Sequence, residues 1–318
     1  MPKVSVIIPT YNRAEMVMEA VKSVLSQTER DLEVIVVDDG STDGTRSIVT
    51  GLSDKRVVYF FKTNAGPASA RNLGLSKAHG EYIAFLDSDG YWAANYLEVM
   101  IFHLEKNSTF GAAYSPITVV YPDGRQLKSY KRPEGKQGWI CADLFEHGFI
   151  WIVAAVFCSS AWEDFYFDEK LARSSEDSDA LLRLSMKIQF MFVPEVEVYS
   201  RISFDSISAL QGVNLNRVLS QQRLYSLLGG DKIIPARIAR KRLSHSFRKV
   251  AQDRKNKKER SAAIKLYLKA VRYWPFDIRL YIGLFRTALI TKDTAPDWQM
   301  PSDLGQPLGI EPIAQKSP

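Results

Sequence analysis

The stretch EYIAFLDSDGYW, residues 81 to 92, begins as an apolar run and ends on paired acids. EYIAFLD is too apolar to show one face to water, so it reads as a strand in a sheet covered on both sides. At its exit Asp87 and Asp89 stand one residue apart. Two carboxylates that close repel each other and cost stability unless something positive lies between them. The alternative is a solvated exit turn, because Asp-Ser-Asp-Gly is also good turn chemistry.

Working outward, the same pattern recurs on both sides. KVSVIIP (3–9), LEVIVVDDGS (32–41) and RVVYFF (56–61) are short, β-branched apolar runs and read as further buried strands. Between them lie helical periodicities at 12–28, 42–53, 66–80 and 94–107. Asn12 and Glu15 have the spacing of a capping box. Thr42 or Asp43 is placed to cap the second helix, and Asp38 or Asp39 could serve it too. Alternating strands and helices predict an α/β fold with a mostly parallel sheet flanked by helices. Such sheets bind ligands beyond the carboxyl ends of their strands. Thr10, Tyr11, Asp38, Asp39, Asp87 and Asp89 all fall there.

After residue 110 the pattern changes. Residues 111–130 read as a hairpin turning at Asp123-Gly124, 151–160 and 196–202 as strands, and 176–187 as a helix with acids in its first turn. From about 206 the chain reads as helical and basic. Residues 211–292 hold 20 Lys and Arg against four acids, a net of +16. The whole chain is +6, so the remainder is −10. The two parts should meet different partners. The expected division is 1–108, 109–208, a basic helical region 209–292 and a loose proline-containing tail 293–318.

The 318 residues are 46% apolar, enough for one sizeable core and an appendage. Apolar runs such as VSVIIP fall far short of the ~20 residues that span a bilayer. The opening residues read as a strand and not as a signal segment. These points lead to the expectation of a cytoplasmic protein. Cys141 and Cys158 and the four scattered histidines have no metal-ligand spacing. The basic tail carries no aromatic–basic signature of nucleic-acid binding.

The ordered set VSVIIPTYNR, VIVVDDGSTDGT, NAGPASARNLGL, FLDSDGYW and FDEKL…SSEDSDALLRL resembles the family 2 glycosyltransferases over about residues 3–208. The resemblance implies the fold called GT-A, with a nucleotide-binding half of Rossmann-like design and an acceptor half. It implies transfer of a sugar from a nucleotide donor, UDP above all, to a hydroxyl with inversion, usually with Mg²⁺ or Mn²⁺. Asp87-Ser88-Asp89 would be the DxD element, Asp89 on the metal and Asp87 at the ribose or metal shell. Pro9, Thr10, Tyr11 and Asp39 would read the base, with Tyr11 stacking and Asp39 accepting from the ring N–H. Arg71 would contact the donor near its diphosphate. Asp177 matches the catalytic base, with Glu176 and Asp179 as neighbouring candidates and Arg183 as their possible partner. The bland readings are a core aromatic for Tyr11, a surface arginine for Arg71 and helix-dipole acids for 176–179. Two departures are visible. Gly90 stands where many relatives carry a further Asp, and Ser203 where many carry a histidine. The QxxRW element of processive synthases is absent from QQRLY (221–225), which implies single additions in surface polysaccharide or glycolipid assembly.

A nucleotidyltransferase needs a glycine-rich loop with a lysine after the first strand, which IIPTYNRAE lacks. A non-catalytic nucleotide-sugar-binding or scaffold protein would carry the same elements in degenerate form. For 211–292, an ordinary packed helical hairpin competes with a surface for anionic membranes. In the latter, Ile233, Ile234, Ile238, Leu243 and Phe247, with Tyr273 and Trp274, would dip between lipid headgroups. The acceptor is then a glycan or a lipid-linked molecule.

Overall fold

The computed structural model describes residues 1–128, 135–171, 175–201 and 213–299. They fall in two compact units, Met1–Ile140 with Gly148–Ala209, and Cys141–His147 with Leu210–Pro318.

The first unit is the expected α/β sheet. Its strands are β1 (Val4–Thr10), β2 (Leu32–Asp38), β3 (Val57–Phe61), β4 (Tyr82–Phe85), β6 (Phe110–Tyr114), β9 (Ala155–Cys158) and β10 (Gln189–Phe192). They lie in the order β10-β6-β9-β4-β1-β2-β3. β4, β1, β2 and β3 run parallel, as do β6 and β10, and β9 enters antiparallel between β4 and β6. Helices α1 (Ala14–Leu25), α2 (Thr45–Thr50), α3 (Pro67–Lys77), α4 (Tyr96–Lys106) and α6 (Glu176–Leu184) belong to the same unit. β1 is buried along its whole length, Ser5 and Thr10 included, as befits a largely apolar strand covered on both faces. A smaller sheet, β5-β11-β7-β8, is built from Gly90–Trp92, Val198–Arg201, Ile117–Val120 and Gln126–Lys128.

Several local expectations give way to longer-range contacts. α1 starts at Ala14 with no side-chain cap. Asn12 has φ 49° and points its side-chain carbonyl at Thr42 N–H (2.8 Å), so it closes a loop instead of a capping box. α2 is shorter than 42–53. Asp43 accepts from Thr45 N–H (3.0 Å) just ahead of it, while Asp38 and Asp39 face elsewhere. The hairpin is β7–β8, turning at Gly124 with φ 82°, and β6 belongs to the large sheet. Strand β10 was not expected from QFMF, which has no β-branched residue.

Glycine sets one approach that matters for the site. A Cβ on Gly74 would stand 2.4 Å from Ile7 Cγ2, so α3 lies on β1 closer than any side chain permits. Arg71, one turn earlier on the same face, is brought close over the sheet with it.

The second unit is helical: α5 (Cys141–His147), α7 (Val213–Leu227), α8 (Ala236–Asn256), α9 (Arg260–Tyr273) and α10 (Ile278–Ala288). Leu219, Leu243, Phe247, Leu266, Tyr267 and Leu280 form its core. Ile234, Leu243 and Phe247 are therefore buried in protein and unavailable to a lipid surface. Cys141 is buried and Cys158 half-buried, and no disulfide joins them. Among the described residues no helix is long and apolar enough to cross a membrane. Ser203 and residues 300–318 of the expected tail lie outside the described residues.

Candidate active site

Parallel pairing gathers the strand exits. Thr10 pairs with Asp38 across β1 and β2, and Ile7 with Phe85 across β1 and β4. Loops 10–13, 38–45 and 86–89 thus leave the sheet on one edge. The first two are laced together. Asp39 N–H donates to Thr10 C=O (2.9 Å), Asn12 N–H to Ser41 Oγ (2.8 Å), and Ala14 N–H to Asp43 Oδ2 (3.2 Å). Burial opposes ionisation of Asp43, but hydrogen bonds from Thr45 and Ala14 hold its carboxyl below the usual range.

This loop pair carries two features that suit a flat ligand. Tyr11 is half exposed above it. Thr10 is buried, and its hydroxyl has no hydrogen-bond partner among the described residues. Buried polar atoms are rarely left so without a reason.

The adjacent acids differ in task. Asp38 is fully buried and accepts from Ser41 N–H (2.7 Å) and Tyr59 Oη–H (2.6 Å), so it holds its own turn together. Burial and that bond raise the Tyr59 phenol well above its ordinary pKa. Asp39 accepts on Oδ1 from Lys62 Nζ (2.8 Å) and Ala65 N–H (3.0 Å), and on Oδ2 from Gly66 N–H (2.7 Å). It thereby fixes the start of α3, not of α2. A carboxylate has about four acceptor positions, so three bonds leave one, on Oδ2.

Asp87 and Asp89 follow β4. Each gives an oxygen to a different arginine: Asp87 Oδ1 accepts from Arg71 Nη2 (2.8 Å), and Asp89 Oδ2 from Arg13 Nη1 (2.5 Å). Burial, and then the neighbouring Asp87, lift the Asp89 carboxyl above its ordinary pKa against the pull of Arg13. Ser88 between them is buried. Behind the turn, Arg201 N–H donates to Asp89 C=O (3.1 Å), and the Arg201 guanidinium covers the Tyr91 ring, which stacks on Tyr199. Gly90 opens β5, and a Cβ there would meet Leu86 Cδ1 at 3.0 Å and Tyr199 O at 3.3 Å. A larger residue would crowd the backbone at this position.

Arg71 is the link to the other acidic element. Its second nitrogen, Nη1, donates to Glu176 Oε1 (2.8 Å), the first residue of α6. The guanidinium is buried over the Phe167 ring, which stacks on Trp162. Burial works against its charge, but Asp87, Glu176 and Asp177 together hold it protonated above the ordinary arginine value. Burial lifts Glu176 above the usual carboxylate range and Asp177 adds to this, with Arg71 opposing. Asp177 is half-buried and accepts from Ser178 N–H on Oδ1 (2.6 Å). Asp179 is 1% exposed and locked to Arg183 Nε (2.7 Å), whose Nη2 donates to Tyr166 C=O. That pair is part of the packing, and it leaves Asp177 as the accessible acid of the three.

Sequence reasoning missed Arg13 and Lys62. Both are cations within or just after a strand-exit loop, one in PTYNR and one after RVVYFF, and an acidic edge needs cations. Asp87 and Asp89 offer hard oxygen donors. Among the described residues no third His, Cys, Asp or Glu joins them. A divalent ion fits this pair in the way Mg²⁺ is commonly bound, by one or two carboxylates with phosphate oxygens and water completing the shell.

A family model described as Glycosyl transferase family 2 matches residues 5–164. An uncharacterized glycosyltransferase of Rickettsia felis is 49% identical over 128 residues, 40% of this chain and 21% of the relative. The chondroitin synthase of Pasteurella multocida is 31% identical over 236 residues, 70% of this chain and 24% of the relative. The chain thus spans about a fifth to a quarter of these curated relatives. The structure of S. aureus TarS 1-349 in complex with UDP-GlcNAc superposes with TM-score 0.64 at 21% identity, over 89% of this chain and 84% of that one. That likeness shows a shared fold.

Proposed function

The chain belongs to glycosyl transferase family 2, and from that premise we propose that it moves one sugar at a time from a UDP-sugar, a hexose or N-acetylhexosamine, to an acceptor hydroxyl with inversion. The observation that carries this reading is the bridge made by Arg71. One guanidinium joins Asp87 of the DxD turn to Glu176 beside Asp177, at 2.8 Å on each side. Donor-side and acceptor-side acids therefore belong to one charged network.

In this reading Tyr11 stacks on the base, and Asp39 uses its remaining acceptor position for the ring N–H. The Thr10 hydroxyl finds its partner in the donor. Asp87 and Asp89 would hold Mg²⁺ or Mn²⁺, which when bound would supply charge neutralisation for the diphosphate. Asp177 takes the proton of the acceptor hydroxyl on its Oδ2 as the hydroxyl oxygen attacks the anomeric carbon. The bond from that carbon to the diphosphate oxygen breaks, and its electron pair leaves with UDP. Arg71 joins the two sets of acids and so acts as a positioning residue.

The name of the chondroitin synthase relative supports a glycan acceptor in surface polysaccharide assembly; we extend the reading to lipid-linked acceptors in glycolipid assembly, on the cytoplasmic side and peripheral to the membrane. A panel of UDP-sugars, scored for metal-dependent UDP release with and without glycan acceptors, tests the proposal. Donor binding without turnover on any acceptor, by wild type and Asp177→Asn alike, would favour a binding protein instead.

A further inference from the structure

The second unit has one helix whose outer face is wrong for water. α10 packs Leu280, Gly283 and Thr287 inward. Gly283 admits the ring of Tyr267, to whose Cε1 a Cβ would stand 2.4 Å. The opposite face is not polar. Ile278, Tyr281, Ile282, Phe285 and Leu289 follow one another at helical spacing and are all exposed, Phe285 by 67%, and Phe276 just ahead is 82% exposed. A helix apolar on both faces needs a second apolar neighbour. A contiguous exposed stripe of large side chains marks an interaction surface.

Charge chooses the neighbour. Arg279 and Arg286, seven residues apart, run along one flank of the stripe. Arg279 is paired with Asp277, while Arg286 has no ion pair among the described residues. The surrounding segment 211–292 carries its net of +16. The positive field is felt at half-buried His245, where burial and then Lys249, Arg248 and Arg242 push the imidazole down to about 4. A second copy of this unit would bring like charge against like. An anionic surface would be attracted.

We propose that the outer face of α10, with Phe276, is an interfacial anchor that lies in the plane of an anionic lipid bilayer. Phe276, Ile278, Ile282, Phe285 and Leu289 enter the acyl boundary, Tyr281 sits at the headgroup level, and Arg286 meets lipid phosphates. This places the lipid contact on α10, not on the apolar residues of 232–252. It does not depend on the transfer reaction.

The test is co-sedimentation of the full chain with vesicles of phosphatidylcholine carrying 0 to about 40% phosphatidylglycerol, without any nucleotide. Binding should rise with phosphatidylglycerol and fall with salt. Ile282→Ser with Phe285→Ser, both exposed and so neutral for folding, should abolish it. Arg286→Ser should weaken partitioning about fivefold. Sedimentation velocity without lipid should show the same species across concentrations. A wild-type protein that stays in the supernatant at low salt would overturn the proposal. So would undiminished binding by the double variant. Self-association that the double variant abolishes would assign the face to a second copy.

Discussion

Replacing Arg71 by Met tests the bridge between the two acidic elements. Methionine keeps a flexible side chain of similar reach and removes the charge with both of its ion pairs. Asp87 loses little, because its side chain is 42% exposed and water can take over. Glu176 is 6% exposed and cannot be rescued so. Removing one partner of a buried pair costs about 3–5 kcal/mol, and nearly all of it should fall on Glu176. That cost should depend on pH. Burial already raises the Glu176 carboxyl in the folded protein, so the folded state holds this proton more tightly than the unfolded chain. Stability therefore falls as pH rises from the unfolded value near ~4.3 to the folded one. Without Arg71 the folded pKa climbs further, and each unit of climb adds about 1.4 kcal/mol to the loss at high pH. The variant should be about 3–4 kcal/mol less stable than wild type at pH 8 and distinctly closer to it at pH 5. Adding Glu176→Gln should recover much of the deficit. Urea unfolding followed by tryptophan emission is suitable, since Trp92, Trp139, Trp151 and Trp162 all lie in the first unit. A variant within about 0.5 kcal/mol of wild type, or an equal loss at both pH values, would refute the reasoning.

Asp89→Ala should remove the Mn²⁺-dependent gain in UDP affinity measured by calorimetry, and an unchanged gain would exclude this turn as the metal site. Arg13→Ala frees the Asp89 carboxylate, so Mn²⁺ titrated at pH 8 without nucleotide should bind more tightly; weaker binding would mean that Arg13 organises the site. Asp177→Asn should keep UDP affinity and lose at least ~10² in turnover. Near-normal transfer by that variant would move the base to Glu176, since Asp179 is committed to Arg183.

The parallel strands were legible because burial on both faces leaves mostly apolar runs; β1, β3 and β4 lie within two residues of their expected bounds, while β2 ends at Asp38 and not at 41. What escaped was whatever depends on a partner far along the chain. Asn12 and Glu15 have a capping-box spacing, yet Asn12 answers to Thr42, 30 residues on. Arg71 was singled out by resemblance to the family, but its bond to Glu176 spans 105 residues and no periodicity encodes it. Helical spacing shows which residues share a face and not what the face meets. Leu243 and Phe247, at a lipid surface in one of the two readings of 211–292, are core, whereas the outward stripe of α10 has the same apolar signature and faces out.

β9 runs against its neighbours, and its position has a temporal consequence. β4 is complete at Phe85, but the strand that covers its free edge begins at Ala155. Some 70 residues must be made in between, which takes about 4–14 s at ordinary elongation rates. For that interval β1 to β4 are available with one bare apolar edge, the kind that recruits another chain. A ribosome delivering this protein must keep that edge from finding the wrong partner, and holdase chaperones that favour extended apolar segments should be found on chains stalled between residues 90 and 155.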